Sequence, residues 1–435
     1  MTRPSAWKRA VLRRRPRISK TWLVPALYAA GAVTAGMVFP RLESRFLPEV
    51  TSGVSVSAAM AFYSSIASGM IALTGIVFSL AFVMVQFSAT AYSPRLVLWV
   101  ARDPFLSHAL GVFSATFLYA IAALVWVDRG GAARVPLISS IVVLVLLVAS
   151  VGMFVGLIQR IGLLQIHRML AFTGGQGRRV IDALYPPLES ADVSSAPGEL
   201  GSMAASQTLT HRGSPLAIQA VDIDALVNLA RRAGGLIELL AVVGDTVQES
   251  TSLLRVVGAR KPIDDRRLIE AIHMGEERTF DQDPKYAIRL LVDIAIRALS
   301  PAINDPTTAV QALDQIGDLL FRLGRRRLEA GAFRDGDGHV RLVMPLPTWE
   351  DFLMLAFDEI RSYGADSVQV MRRMGALISD LISAVPDERR PALVQWQRRL
   401  HTTIERHFAD PEDRADALAE DRQGLGVPRR RPGEH

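Results

Sequence analysis

Few residues in this sequence have the types and spacing that chemistry requires, and the clearest group could bind a metal ion. His273, Glu276 and Glu277 stand at positions i, i+3 and i+4, so a helix would place them on one face. An imidazole and two carboxylates suit a divalent cation. The same spacing also fits a solvated acidic face, and Arg266 and Arg278 lie nearby. We favour the solvated face and expect no metal site and no cofactor.

Catalytic signatures are missing from the sequence. It contains no cysteine, which excludes thiol nucleophiles, CxxC redox pairs and thiolate zinc sites. The patterns GxSxG, GxGxxG after a strand, GxxxxGKS or GxxxxGKT, and HExxH do not occur. The glycine run at residues 174–177 follows a predicted helix rather than a strand, and we interpret it as a flexible joint. We therefore expect a protein that is not an enzyme.

The second apolar stretch, residues 58–87, carries small and polar residues at helical spacing. Ser68, Ala72, Gly75 and Ser79 recur at intervals of three and four residues. Ala61, Ser65 and Gly69 form an adjoining strip. Such stripes let helix backbones approach closely in lipid. A second interpretation is a pore, whose lining candidates are Ser64, Ser68, Gly75, Ser79 and Gln86.

Two further groups carry a predicted role. Arg95 follows the second stretch and could bind a lipid phosphate or line a pore mouth, although basic residues beside a span also follow from membrane topology alone. The pairs at 283–284 and 305–306 both read Asp-Pro, which puts a capping carboxylate at the N-cap and a proline at the first helical position. We expect a structural turn formed by Pro301, Asn304, Asp305 and Pro306.

Four apolar stretches must position these residues. They cover residues 22–40, 58–87, 105–127 and 135–158, and none of them contains Asp, Glu, Lys or Arg. Each reaches the roughly 18–20 residues that a helix needs to cross the apolar part of a bilayer. Because proton-driven transporters place ionisable groups inside the membrane, this absence favours a passive pore or a non-conducting anchor.

The charge distribution predicts the orientation. The net charge is +6, but the first twenty residues carry eight basic side chains and no acidic one. The basic character therefore belongs to the N-terminus rather than to a folded nucleic-acid-binding face. Basic flanks remain in the cytoplasm, and an even number of spans returns the C-terminal half there as well.

These observations predict a mainly α integral membrane protein with four transmembrane helices and a cytoplasmic α+β domain, mostly helical with a small β-sandwich-like module. Within that domain we expect helices at residues 266–277, 284–299, 306–330 and 389–408, and one or two more within residues 348–385. The predicted boundaries are 1–20 for the basic N-terminus, 21–160 for the membrane domain, 161–215 for a connector and linker, 216–258 for the β module, 259–410 for the helical domain and 411–435 for a charged, partly disordered tail.

Two segments of the second half are distinctive. Residues 278–284 read RTFDQDP, and residues 300–306 read SPAINDP. Together with TGIVFS at residues 74–79 and SPR at 93–95, they resemble a family of bacterial predicted membrane proteins known as domain of unknown function 2254. The resemblance runs from about residue 20 to residue 410. It implies a bacterial inner-membrane protein with a cytoplasmic C-terminal half, and it implies no activity.

A shorter segment, GDTVQESTSL at residues 244–253, is similar to the hairpin of lipoyl-type modules, although Ser250 stands where that pattern has glycine. The lysine that would carry biotin or lipoate is absent from the segment. The resemblance therefore implies a packing unit without a covalent cofactor.

Two functions from different classes remain open. The first is an oligomeric ion channel or passive pore, with the cytoplasmic domain as its vestibule or gate. The alternative is a non-conducting membrane scaffold or sensor whose cytoplasmic domain binds a protein partner. We expect membrane lipids and further copies of the chain as partners, and no nucleic acid.

Overall fold

The computed structural model describes residues 23–46, 53–91, 104–129, 135–161, 166–188, 204–328 and 331–426. The chain divides into two compact units: the apolar helices lie within residues 16–165, and an α/β region begins at residue 166. The predicted basic N-terminus, most of the linker before β1, and the end of the tail lie outside the described residues.

In the described part of the first unit, four helices are long and apolar enough to cross a membrane, as the sequence predicts. Their bounds are Leu23–Phe46 (α1), Val56–Ala91 (α2), Pro104–Arg129 (α3) and Leu137–Ile161 (α4).

Helix α3 is the centre of this unit. It packs against α1, α2 and α4. Half of its most apolar 18-residue segment is buried, whereas at most 22% of the corresponding segment is buried in each of the other three helices. Close approach depends on small residues, because a Cβ on Gly111 would lie 2.7 Å from the Tyr28 ring and one on Gly36 would lie 2.5 Å from Ala122.

The α/β region begins with helix α5, Ile166–Leu184. The strands that follow are β1 Ala205–Thr210, β2 Leu216–Val221, β3 Leu236–Leu239, β4 Thr246–Val247, β5 Ser252–Val257, β6 Ile272–Gly275, β7 Ala332–Arg334 and β8 Val340–Val343. The remaining helices are α6 Ile223–Ala233, α7 Asp265–Glu270, α8 Pro284–Ala298, α9 Pro306–Gly324, α10 Trp349–Tyr363, α11 Val368–Ala384, α12 Arg390–His407 and α13 Pro411–Leu418.

The strands form two small sheets. The first has the order β1-β5-β3-β8-β7 and the second has the order β4-β2-β6. The pair β3–β8 is parallel, and the other pairs are antiparallel. Strands β4 and β5 belong to different sheets, so the predicted lipoyl-type hairpin is wrong. Ser250, however, adopts a left-handed backbone with φ of 67°, which is the conformation that favours the glycine of that pattern.

The helical core of this region is built around α8 and α9. Both helices pack against α5 and α10, and α11 packs against α9. Their inward faces are aliphatic and fully buried, as Leu291, Leu313, Ile316 and Leu320 show. Burial of such side chains contributes about 1.5–3 kcal/mol each, so this helical layer stabilises the α/β region.

The glycine run at residues 174–177 does not form a flexible joint. It lies inside α5, where Gly174 and Gly177 allow the helix to approach α9. A Cβ on Gly177 would lie 2.8 Å from Leu319 and 2.9 Å from Ala287. The glycines therefore serve close packing of helices rather than flexibility.

The described part of the C-terminal tail is folded. Arg372 is 3% exposed and donates to the carbonyl oxygens of Asp416 and Gly426. The carboxylate of Asp421 accepts three backbone N–H groups, those of Gln423, Gly424 and Gly426, at 2.7–3.0 Å. Residues 411–426 are thus fixed on the domain by a buried guanidinium and a buried carboxylate.

Candidate functional site

The stripe of small residues on α2 is exposed over its whole length. The small-residue stripe consists of Ala61, Ser65, Ser68, Ala72, Gly75 and Ser79, and each of these residues is exposed. Within the described structure, no atom would come within 4 Å of a Cβ on Gly75. Among the described residues, therefore, these small side chains do not pack against another helix of the same chain.

The packed face of α2 lies opposite the stripe. Successive residues of an α-helix are about 100° apart, so Tyr63, Ile66, Met70 and Val77 fall on the side away from Ser68. These four residues are at most 7% exposed. Tyr63 also exchanges a hydrogen bond with Ser140 of α4, with 2.7 Å between the two hydroxyl oxygens. Helix α2 is thus anchored by one face and presents the other outward.

The pore-lining candidates share this outward side. Ser64, Ser68, Gly75, Ser79 and Gln86 are all exposed and lie on the single helix α2. At 1.5 Å per residue, its 36 residues span about 54 Å, which exceeds the roughly 30 Å apolar core of a bilayer. The predicted pore-mouth residue, Arg95, lies outside the described residues.

A buried carboxylate in the first unit escaped the sequence analysis. Helix α1 continues through Pro40 to Phe46, which is beyond the predicted end of the apolar stretch, and so includes Glu43. Glu43 is 4% exposed and accepts the backbone N–H of Ile138, with 3.0 and 3.2 Å from the nitrogen to the two carboxylate oxygens. It therefore caps the N-terminus of α4, where a negative charge is favourable. Charge is rare in this unit but not absent from its helices.

The other buried polar groups of this unit are hydroxyls. Thr116 and Ser150 are fully buried, and their hydroxyl oxygens lie 2.8 Å apart between α3 and α4. Each hydroxyl also lies 2.8 Å from a carbonyl oxygen one turn back, Val112 for Thr116 and Leu146 for Ser150, so one hydroxyl donates within its own helix and the other donates across to its neighbour. Such bonds join neighbouring helices where water is excluded.

The predicted helix face with a metal-binding pattern does not form. The segment 266–277 divides into α7 and β6, and His273 lies in the strand rather than on a helix with Glu276 and Glu277. Within the described ranges, no group of three His, Asp or Glu side chains is arranged to hold a metal ion.

The predicted turn lies between α8 and α9. Pro301 and Asn304 are exposed, and Asn304 adopts a left-handed backbone with φ of 49°. Asp305 accepts the N–H of Thr308 at 3.1 Å and caps α9, with Pro306 as the first helical residue. Asp293 forms an ion pair with Arg289 on the preceding turn of α8.

An electrostatic perturbation in the α/β region concerns Asp283, at the start of α8. Its side chain is 2% exposed, and burial raises the pKa of its carboxyl, an effect that Lys285 and Arg278 partly oppose. Burial and the nearby Asp283 also raise the pKa of Tyr185. In contrast, the hydrogen bond from Arg289 lowers the pKa of Glu359. A carboxyl that stays buried without such a partner is unusual.

Four apolar helices joined to an α/β region define a multi-pass membrane protein whose site features lie on one exposed membrane helix. Comparison with known sequences agrees, because the profile of a family described as a predicted membrane protein, DUF2254, matches residues 18–380. The chain therefore belongs to the DUF2254 family.

Two relatives are uncharacterized proteins from Mycobacterium bovis and Mycobacterium tuberculosis. Each is 28% identical to this chain over 411 residues, which cover 91% of this chain and 78% of the relative. No solved structure matches the chain.

Proposed function

We propose that this protein assembles into an oligomeric ion channel or passive pore lined by α2. The observation that carries the proposal is the exposed small-residue stripe, which lies opposite the packed face of the helix. Small side chains let helix backbones approach each other in lipid, and the serines among them offer hydroxyls to water or ions. Because four packed helices enclose little interior, the pore requires several protomers around a common axis.

The lining supports passive conduction. Ser64, Ser68, Ser79 and Gln86 are polar but uncharged, so they can replace part of an ion's hydration shell without changing protonation state. The excess of basic residues at the N-terminus supports a placement in the bacterial inner membrane with both termini in the cytoplasm. In this arrangement the α/β region serves as the vestibule or gate, lipids surround the helices, and the protein has no enzymatic activity.

The test is ion flux through purified protein in liposomes, with the mass of the detergent-solubilised protein measured on the same preparation. Ser79→Leu and Gln86→Leu are expected to change conductance while the oligomer mass stays constant. Phe62→Leu is the matched control, because Phe62 is 41% exposed on α2 and lies about 120° around the helix from Ser68. It should leave conductance unchanged.

A folded oligomer that conducts neither cations nor anions would contradict the channel. The alternative scaffold or sensor would then gain support if full-length protein retained a stoichiometric protein partner. In that case substitutions in α2 should act only through stability.

A further inference from the structure

The start of helix α5 carries a basic and an aromatic residue on its exposed side. Arg168 and Phe172 stand four residues apart, so they lie within about 40° of each other around the helix. Both are exposed, whereas Met169, Leu170 and Thr173 are buried on the other side. Among the described residues, no carboxylate pairs with Arg168. This side of α5 thus offers an uncompensated cation beside an aromatic ring.

Helix α5 begins soon after a membrane helix along the chain. Helix α4 ends at Ile161, and α5 begins at Ile166. An extended chain covers at most about 3.6 Å per residue, so these two residues lie no more than about 18 Å apart. At 1.5 Å per residue, the 25 residues of α4 span about 38 Å, which exceeds the roughly 30 Å apolar core of a bilayer. An α4 that spans the bilayer therefore places the start of α5 near a lipid surface.

Helices α5 and α9 run side by side in the same direction. Three contacts along them keep the same offset: Gly174 beside Gln315, Arg178 with Asp318, and Asp182 with Arg322. The same offset carried back to Arg168 reaches Thr308, in the first turn of α9. The turn between α8 and α9, residues 301–304, therefore lies at the same end of the α/β region as the start of α5.

This turn exposes three apolar residues in succession. Pro301, Ala302 and Ile303 are all exposed, Ile303 at 46%. The backbone of the turn is fixed, because the N–H groups of Ile303 and Asn304 both donate to the carbonyl oxygen of Ser300, at 3.0 and 2.9 Å. Exposed apolar residues that adjoin one another mark a surface for a protein or a membrane.

From this arrangement we propose that residues 166–172 and 301–304, here called the lipid-facing end, bind the surface of an anionic bilayer. Ile303 and Phe172 enter the boundary between headgroups and acyl chains, and Arg168 binds a lipid phosphate. Apolar side chains combined with basic ones are what interfacial segments use to bind anionic lipid. The short connection to α4 favours lipid over a protein partner, because it keeps this end within reach of a bilayer.

The experiment measures contact with lipid at single sites of the full-length chain. The chain contains no cysteine, so Ala302→Cys and Glu350→Cys each provide one site for a bimane label. Glu350 is exposed and follows Trp349, which lies beside Gly324 at the opposite end of α9. Each labelled protein is reconstituted in liposomes of equal parts phosphatidylglycerol and phosphatidylcholine, with or without a nitroxide on the acyl chains that quenches bimane on contact.

We expect the nitroxide to quench the label at Ala302 at least about threefold more than the label at Glu350, because interfacial segments reach about 5–10 Å into the boundary between headgroups and acyl chains. Ile303→Ser removes an apolar anchor and should bring quenching at Ala302 down to the level at Glu350. Arg168→Gln should reduce quenching at Ala302 at least about twofold, because it removes the attraction to anionic lipid.

Arg325→Gln is the matched control, because Arg325 is exposed at the opposite end of α9. It should leave quenching at Ala302 unchanged. Circular dichroism and thermal unfolding of each variant check that the fold persists.

Three outcomes would overturn the proposal: equal quenching at Ala302 and Glu350, quenching at Ala302 that Ile303→Ser leaves unchanged, or quenching that Arg168→Gln leaves unchanged. None of these bears on conduction, so the lipid-facing end and the pore succeed or fail independently.

Discussion

The two units of this chain treat apolar side chains in opposite ways. In the membrane helices, large apolar residues face outward, as Phe82 at 68% exposure and Val148 at 65% show. In the α/β region, aromatic residues of similar size, such as Phe352 and Phe357, are completely buried. The difference indicates that lipid surrounds the first unit, since an apolar surface of this kind would cause aggregation in water.

Polar groups follow the same division. The membrane unit pairs hydroxyls with hydroxyls or carbonyl oxygens, and its buried carboxylate Glu43 is neutralised by a helix N-terminus. The α/β region instead relies on arginine pairs, such as Arg289 with Glu359 and Arg341 with Asp335. A full charge carries a smaller desolvation free energy where water remains close to it.

Leucine-to-alanine substitutions should have very different effects on stability in the core of the α/β region and on a lipid-exposed helix. Leu320→Ala, in the core of the α/β region, should lower the free energy of unfolding by about 2–5 kcal/mol because it leaves a cavity. Leu144→Ala, at a position 50% exposed on α4, should cost less than about 1 kcal/mol because lipid or detergent fills the space. Denaturation of the full chain in detergent, followed by circular dichroism, measures both. Equal losses of unfolding free energy for the two variants would contradict this difference between the units.

Glycines within helices are also expected to respond differently to substitution in the two units. Gly177→Ala pushes a methyl group against Leu319 and Ala287, and overpacking of this kind costs about 1–3 kcal/mol. Gly75→Ala meets no atom of the described residues and should instead stabilise the protomer by up to about 1 kcal/mol.

Thermal unfolding measures the stability of the protomer, and the mass of the detergent-solubilised protein measures its assembly into oligomers. Because a pore lining faces water rather than a neighbouring helix, Gly75→Ala should leave the oligomer fraction unchanged. A reduced oligomer fraction without a loss of protomer stability would instead mean that the small-residue stripe is an interface between copies.

Asp283 provides a smaller, pH-dependent test within the α/β region. Its folded pKa is raised above the value of 3.8 expected in the unfolded chain, so the unfolded state loses its proton first as pH increases. The contribution of Asp283 to stability is therefore complete below about pH 3.8 and is lost as pH rises through the folded pKa. Unfolding midpoints of wild type and Asp283→Asn, measured against pH, should converge at low pH and favour the variant at neutral pH. A constant difference would contradict the raised pKa.

The smallest effect concerns a surface ion pair. Arg178 and Asp318 are 2.8 Å apart, but their side chains are 32% and 39% exposed. Arg178→Gln should cost less than about 1 kcal/mol, and the cost should diminish in high salt. Denaturant titrations at low and high ionic strength measure this, and a salt-independent loss would point to the packing of the arginine stem instead.

The sequence predicted best where the pattern is local and repeated. The four apolar helices and both Asp-Pro caps were confirmed, because hydropathy and capping chemistry act over a few residues. The helix at 266–277 and the joint at 174–177 were wrong, because tertiary partners decided them. Residues 272–275 pair with strand β2 and form β6. The glycines at 174 and 177 lie where α5 packs closely against neighbouring helices.

The candidate site was predictable only in part. Spacing alone identified the residues on one face of α2, but it could not show whether that face points inward or outward, since both arrangements use the same sequence. Glu43 was missed because it lies past the end of the apolar stretch. The burial of Asp283 depends on contacts with segments far away in the chain, which no local pattern reports.

The buried guanidinium of Arg372 has a consequence for how the protein is made. Its acceptors, the carbonyl oxygens of Asp416 and Gly426, are among the last described residues to leave the ribosome. Until they arrive, helix α11 carries a cation that it cannot bury without a large penalty. Completion of the domain therefore waits for residues 416–426, and a chain truncated before residue 416 would leave this guanidinium without its acceptors and open to recognition by cellular proteases.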